Sequence, residues 1–443
     1  MASDPALIEI YRNGTWEPAA ELQPLGDERC RLEYLAEYIF QAGPEPIALG
    51  LPVQFNPDIP GDDGLVDRSV PSFLYDLVPQ GKGRRFLLDL IQRSDADTLV
   101  LPLLMAGAFN PIGRLRLSSA VEFFKTQAAR HPEAHQAGGL ALEDIRQRSD
   151  DYLDHLSLYA MLATGTTGVQ GVAPKYLMAQ DRQGRWFADL ALPDDQAVAH
   201  WLMKLPRGKS DADRAVLRNE AAYLRLAGQC GLRAPRGERG LENGVMLIDE
   251  ILFVRRFDRR VIDGQLHRLH QESLASVAGL RGFAPGTTLN ALLQVLRAHA
   301  THPAAETVEF VKRDVLNRAM RNTDNHARNT AMQRLPDGTI QLTPVFDFAP
   351  MFMDPEGIPR SVEWKDARGV IQRDWTDILR ELVESGALPA AEHAALVAEL
   401  KAFSTVVANL PALATACGVE PAVLDQCLAS IEAQAGQLAG LTV

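Results

Sequence analysis

The stretch Thr323–Asn329 reads TDNHARN and sets Asp324 five positions before Asn329. At that interval one loop can aim a carboxylate at an attacking hydroxyl while an amide oxygen faces a metal ion. Eighteen residues beyond Asn329 stands Asp347, in VFDFAP (Val345–Pro350), flanked by apolar residues. This pattern predicts an aspartate held at the end of a buried strand and offered to magnesium. Either motif alone reads as a turn or cap, because Asp and Asn favour both. The pair, in this order and at this separation, points to phosphoryl transfer.

Such chemistry also needs a cation on the phosphates and a close backbone cover. Lys204 ends the segment AHWLMK, on the apolar side of a strand predicted over Val198–Leu205. A lysine there ordinarily snorkels; here it is the candidate phosphate-binding lysine. Glu220, on a helix predicted over Asp211–Ala227, is its candidate ion-pair partner. Gly165, Gly168 and Gly171 recur every third residue and lead to Pro174-Lys175. Glycines let N–H groups approach phosphate oxygens closely, although three glycines also make a plain linker. No G-K-[ST] follows, so this is not a Walker loop. Arg255, Arg256, Arg259 and Arg260 form a basic cluster whose first reading is structural or solvated. The alternative sets RRFDR beside an adenine, with Val254 and Phe257 as apolar walls.

Outward from these motifs the chain is α+β. Leu7–Tyr11 reads as a strand, and Asn13-Gly14 is a hairpin turn signal. Residues 71–92 carry helical periodicity broken by Pro79, and residues 109–118 suggest a turn and a short strand. Residues 126 to about 150 read as a polar connector, Tyr152–Ala163 as a helix and Val245–Phe257 as one strand. Residues 272–332 and 373–442 are rich in Ala and Leu at helical spacing. The expected parts are 1–125, a small mixed subdomain; 126–257, a strand-rich lobe; and 258–443, a helical lobe.

The net charge of −12 argues against direct grip on nucleic acid, which rests on neutralising phosphates. No apolar run reaches membrane-spanning length, and the N-terminus has no basic stretch before an apolar one, so a cytoplasmic location is expected. Cys30, Cys230, Cys417 and Cys427 are scattered, which predicts reduced thiols and no zinc site.

Taken together, SFLYDLVPQGKGRR, GVQGVAPK, WLMKLP, NEAAYLRLAGQCGL, VRRFDR, RLHQESLASVAGL, NTDNHARN and LTPVFDFAPMF resemble, in order, the motifs of the HipA family of serine/threonine kinases. The resemblance runs through nearly the whole chain. It implies a two-lobed protein-kinase-like fold with an extra N-terminal subdomain, using ATP and Mg2+. By matching motif it makes Asp324 the catalytic residue and Asn329 and Asp347 the metal ligands. Lys204, Gly168, Val169, Gln170, Gly171, Lys175, Arg256, Phe257, Gln271 and His326 would be nucleotide contacts. Best-known members carry a serine in the glycine-rich loop whose phosphorylation switches the kinase off. Gly168 stands there, so either Thr166 or Thr167 takes the role or that brake is missing or altered. The family also implies an aminoacyl-tRNA synthetase as substrate and a small helix-turn-helix antitoxin as partner, with DNA reached only through it. Three rivals stand beside this reading: a small-molecule kinase of the aminoglycoside or choline type, a pseudokinase acting as a transcriptional co-regulator, and a helical protein whose motifs are coincidental.

Overall fold

A computed structural model of the chain describes residues 4–56, 68–130, 139–147, 175–208, 210–236, 244–262, 264–283, 285–354 and 356–442. Its contacts divide it into two compact units: Met1–Arg207 with Phe253–Phe283, and Gly208–Leu252 with Ala284–Val443.

The first unit opens with an antiparallel hairpin of β1 (Ala6–Arg12) and β2 (Thr15–Pro24). Its turn residues, Asn13 and Gly14, have φ of 49° and 81°. Two left-handed residues give the turn whose twist matches the strands, and Asn-Gly adopts it at least cost. With β3 (Arg29–Tyr34), β4 (Arg68–Ser69) and β5 (Leu115–Leu117) the sheet order is β4-β3-β2-β1-β5. Ile8, Ile10 and Leu22 are fully buried. They join one core with residues of the helices α1 (Gly81–Leu90), α2 (Val100–Gly107) and α3 (Ser118–Arg130). Each such side chain contributes about 1.5–3 kcal/mol on burial. Because α3 runs to Arg130 and a short helix covers Leu142–Gln147, the expected connector is partly helical. The run Tyr152–Ala163 lies outside the described residues.

A second sheet follows, from β6 (Lys175–Asp181), β7 (Trp186–Ala188) and β8 (Ala197–Lys204). The segment expected as one strand over 245–257 is instead a hairpin, β9 (Val245–Ile248) and β10 (Ile251–Arg255). Asp249 and Glu250 turn it with φ of 44° and 67°. The chain re-enters the first unit along β10, and the sheet there is ordered β7-β6-β8-β10. Three short strands come next: β11 (Arg259–Ile262), β12 (Gln265–Arg268) and β13 (His270–Ser273).

The second unit is mostly helical. It holds α4 (Asp211–Gln229), α5 (Leu289–His299), α6 (Pro303–Ala319), α7 (Trp375–Glu384), α8 (Ala390–Ala408), α9 (Leu410–Cys417) and α10 (Pro421–Ala439). Side chains of Ser210, Thr288 and Asp374 cap α4, α5 and α7, each accepting a backbone N–H of the first turn. One antiparallel pair, β14 (Ala331–Arg334) and β15 (Ile340–Leu342), follows the TDNHARN loop. No single helix among the described residues is long and apolar enough to cross a membrane.

Candidate active site

The loop that carries Asp324 begins where α6 stops. Arg321 takes φ +55°; its N–H donates to Arg318 O at 3.3 Å, and Asn322 N–H donates to Asn317 O at 2.8 Å. This is the double bond pattern that closes helices, usually with glycine at the left-handed position. Here the arginine is held by other means: its guanidinium lies 4.3 Å from the Phe352 ring centre and donates to Gln426 O at 3.1 Å. Asn322 then locks the entry. Its Nδ2 donates to Asn317 Oδ1 at 3.0 Å, and its Oδ1 accepts Asp324 N–H at 3.3 Å. The exit is locked by Asn329, whose Nδ2 donates to Asp324 O at 2.7 Å and whose N–H donates to His326 O at 2.9 Å. Two asparagine side chains therefore fix the Asp324–Asn329 spacing that the sequence displays.

His326 is buried, and its Nδ1 accepts Arg328 N–H at 3.2 Å. An accepting Nδ1 leaves the neutral ring's proton on Nε2, which lies 3.7 Å from Asp324 Oδ1. The imidazole is thus oriented toward the Asp324 carboxylate. Asn329 is oriented just as firmly: with Nδ2 bound to a carbonyl, Oδ1 points the other way. That oxygen is buried and accepts no hydrogen bond among the described residues. Asn329 and Asp347 line one pocket. A buried, unpaired amide oxygen beside a carboxylate suits a hard divalent cation, which takes oxygen ligands. Asn329 and Asp347 would hold such an ion, which would supply positive charge for phosphate chemistry, while the loop orients Asp324.

Asp347 is not at a strand end. It lies five residues beyond β15, in a bend with φ +50°, a conformation Asp tolerates. The segment is positioned by Val345 N–H donating to Arg233 O at 2.8 Å, and Arg233 in turn grips Glu306 at 2.5 and 2.7 Å. Next along, Phe348 is buried against Tyr223 of α4, ring centres 5.0 Å apart. The Tyr223 hydroxyl donates to Met320 O at 3.0 Å, and burial pushes its pKa up. Tyr223 was not singled out by the sequence reading. It has no motif of its own, only a place three residues past Glu220 on an amphipathic helix.

Glu220 is buried on α4 in the second unit; Lys204 is buried at the end of β8 in the first, with Lys175 its cross-strand neighbour. Gln271 lies on β13, its Oε1 buried and unpaired. Val254 is buried and Phe257 half-buried. Gly165, Thr166, Thr167, Gly168, Val169, Gln170, Gly171 and Pro174 lie outside the described residues.

Arg256 needs a correction. Its guanidinium is enclosed by carboxylates: Nη1 donates to Asp189 at 2.6 Å, and Nε and Nη2 donate to Asp258 at 3.0 and 2.8 Å. Asp258 also accepts Gly113 N–H at 2.8 Å and Arg259 Nη1 at 2.6 Å. Gly113 has φ +96°, a backbone state that suits glycine. Burial opposes ionisation of Asp258, yet Arg256 and Arg259 hold its pKa near about 2. The nucleotide reading of the Arg256 side chain gives way to a structural one. Arg255 is also engaged, donating to Val198 O at 3.2 Å and lying 5.1 Å from the Trp201 ring centre.

The chain is mixed sheet and helix in two compact units, and its fold is kinase-like. The chain belongs to the family of HipA-like C-terminal domain proteins, whose profile matches residues 167–407. A solved structure of HipA from Shewanella oneidensis MR-1, in a complex with HipB and operator DNA, has a TM-score of 0.64 at 17% identity. That likeness covers 98% of this chain and 100% of the other. Among curated proteins, "Putative kinase Y4mE" of Sinorhizobium fredii (strain NBRC 101917 / NGR234) is 28% identical over 179 residues, 39% of this chain. The match spans 40% of that relative's length.

Proposed function

We propose that this chain is an ATP- and Mg2+-dependent serine/threonine protein kinase. The observation that supports it most is the Asn329 amide: one end tied to the Asp324 backbone, the other a buried, unpaired oxygen in the pocket that Asp347 lines. In this reading Asp324 accepts the substrate hydroxyl's proton, and His326 keeps its carboxylate in place. Asn329 and Asp347 hold magnesium. Lys204 and Lys175 are the candidate phosphate contacts, and Gln271, Val254 and Phe257 the candidate nucleotide neighbours. Thr166 and Thr167 are the candidate autophosphorylation sites. Residues 1–125, 126–257 and 258–443 remain the proposed functional parts.

The HipB and operator DNA of the Shewanella complex suggest, for this chain, a small DNA-binding partner. An acidic chain suits contact with DNA through such a partner. The substrate the family resemblance implies is an aminoacyl-tRNA synthetase. The test is transfer of labelled γ-phosphate from Mg-ATP to proteins of a lysate and, separately, to small alcohols. Label on protein hydroxyls, reduced by Asp324→Ala by about 10² or more, is the expected result. Transfer to small alcohols alone, or protein labelling unchanged in Asp324→Ala, would overturn the reading.

A further inference from the structure

One oxygen in the pocket has no part in the roles above. Asn325 follows Asp324 directly, and its Oδ1 is buried without a hydrogen-bond partner among the described residues. Asn325 lines the same pocket as Asn329 and Asp347. Leaving a buried acceptor unpaired is costly, so two in one pocket call for an explanation. Among the described residues no neighbouring group donates to it. Asn317 and Asn322 bond to each other. Arg313 directs Nε and Nη2 to Glu309 at 2.9 and 2.7 Å and Nη2 also to Thr343 O at 2.7 Å. Leu232, Leu316 and Phe348, which also face the pocket, have no polar side-chain atom to offer.

We infer that Asn325 Oδ1 is a further oxygen donor of the divalent-cation site, acting on the ion directly or through one of its waters. The inference rests on the assignment of Asn329 and Asp347 as metal ligands. It adds a neutral donor to a site with one pocket carboxylate. A set of two amide oxygens and a carboxylate favours Mg2+ or Mn2+ over zinc, which prefers nitrogen and sulfur.

The experiment titrates Mn2+ into the full-length protein with ADP present and follows free Mn2+ by electron paramagnetic resonance. The proteins compared are wild type, Asn325→Ala, Asn325→Asp and Asn329→Ala. The expected result is Mn2+ affinity about tenfold weaker in Asn325→Ala, restored or exceeded in Asn325→Asp. Metal-free thermal midpoints of Asn325→Ala should equal or exceed wild type, because an unpaired buried acceptor is removed. If Asn329→Ala weakens Mn2+ binding while Asn325→Ala stays within twofold of wild type, this inference fails and the metal-site assignment stands. If neither changes the affinity, the assignment beneath it fails as well. A lowered metal-free midpoint in Asn325→Ala with unchanged Mn2+ affinity would make Asn325 structural and overturn the inference.

Discussion

At the scale of single residues, charge placement separates motifs that act from motifs that hold. His200 Nδ1 lies 2.7 Å from Asp189 Oδ1, next to Arg256. Burial lowers the His200 pKa, and the Arg256 and Arg259 charges push the same way, while Asp189 opposes them. The ring therefore stays neutral in the fold, and its bond to Asp189 is a hydrogen bond. An unfolded His200 takes up its proton below about pH 6.5, so the unfolded chain binds more protons than the folded one there. Stability is then full above that pH and falls as pH drops through it. Thermal denaturation from pH 7.5 to 5.5 should show a falling Tm, and His200→Gln should flatten that slope while lowering Tm at pH 7.5. An unchanged slope in the variant would contradict the assignment. TDNHARN was legible because its spacing is local: both ends of the constraint lie within one loop. RRFDR was legible only in part: Asp258 lies within the motif, but Asp189, the other carboxylate on Arg256, is 67 positions away.

At the scale of elements, backbone turns account for most departures from the sequence reading. Asn13-Gly14 announces its hairpin, whereas Asp249-Glu250 adopts two left-handed residues without glycine. Hence β9 and β10 read as one strand. Asp347 was expected at a strand end for a similar reason: the apolar flank of VFDFAP suggests a strand, but β15 closes at Leu342. Helices fared better, since the apolar spacing of α4 and its Ser210 cap are both visible in the letters. What α4 carries is less visible. Through Tyr223 it meets both Met320, at the head of the Asp324 loop, and Phe348, beside Asp347. Tyr223→Phe keeps the ring contact and removes the hydrogen bond to Met320 O, a loss of about 1–2 kcal/mol. Tyr223→Ala should lose about 3–5 kcal/mol. Urea unfolding measures both, and equal losses would mean that the ring contact counts for little.

At the scale of the whole molecule, the two units rest on different chemistry. The first has an apolar core spanning Ala6 to Ala120 and, apart from it, a buried ion network of Asp189, Arg256, Asp258 and Arg259. The second is a helical body whose indoles are tied to polar partners: Trp375 donates to Gln434 and Trp364 to Asp314, each at 2.8 Å. The helical character of that second body was plain from composition. Its internal fastening was not, because it joins residues far apart in sequence. Arg218 of α4 donates to Glu420 at 2.6 Å, and Glu420 N–H donates to Asn219 Oδ1 at 2.9 Å, just ahead of α10. A combined Asn219→Ala and Glu420→Ala change leaves every catalytic letter untouched, yet phosphoryl transfer should fall by up to about 10² if α4 shifts by an ångström or so. Unaltered turnover would show that α4 needs no such anchor. The family profile ends at residue 407, thirteen positions short of Glu420. Relatives that share every signature letter but differ beyond that point can therefore differ in how firmly their reactive centre is set, and a survey restricted to the shared stretch would score them as equals.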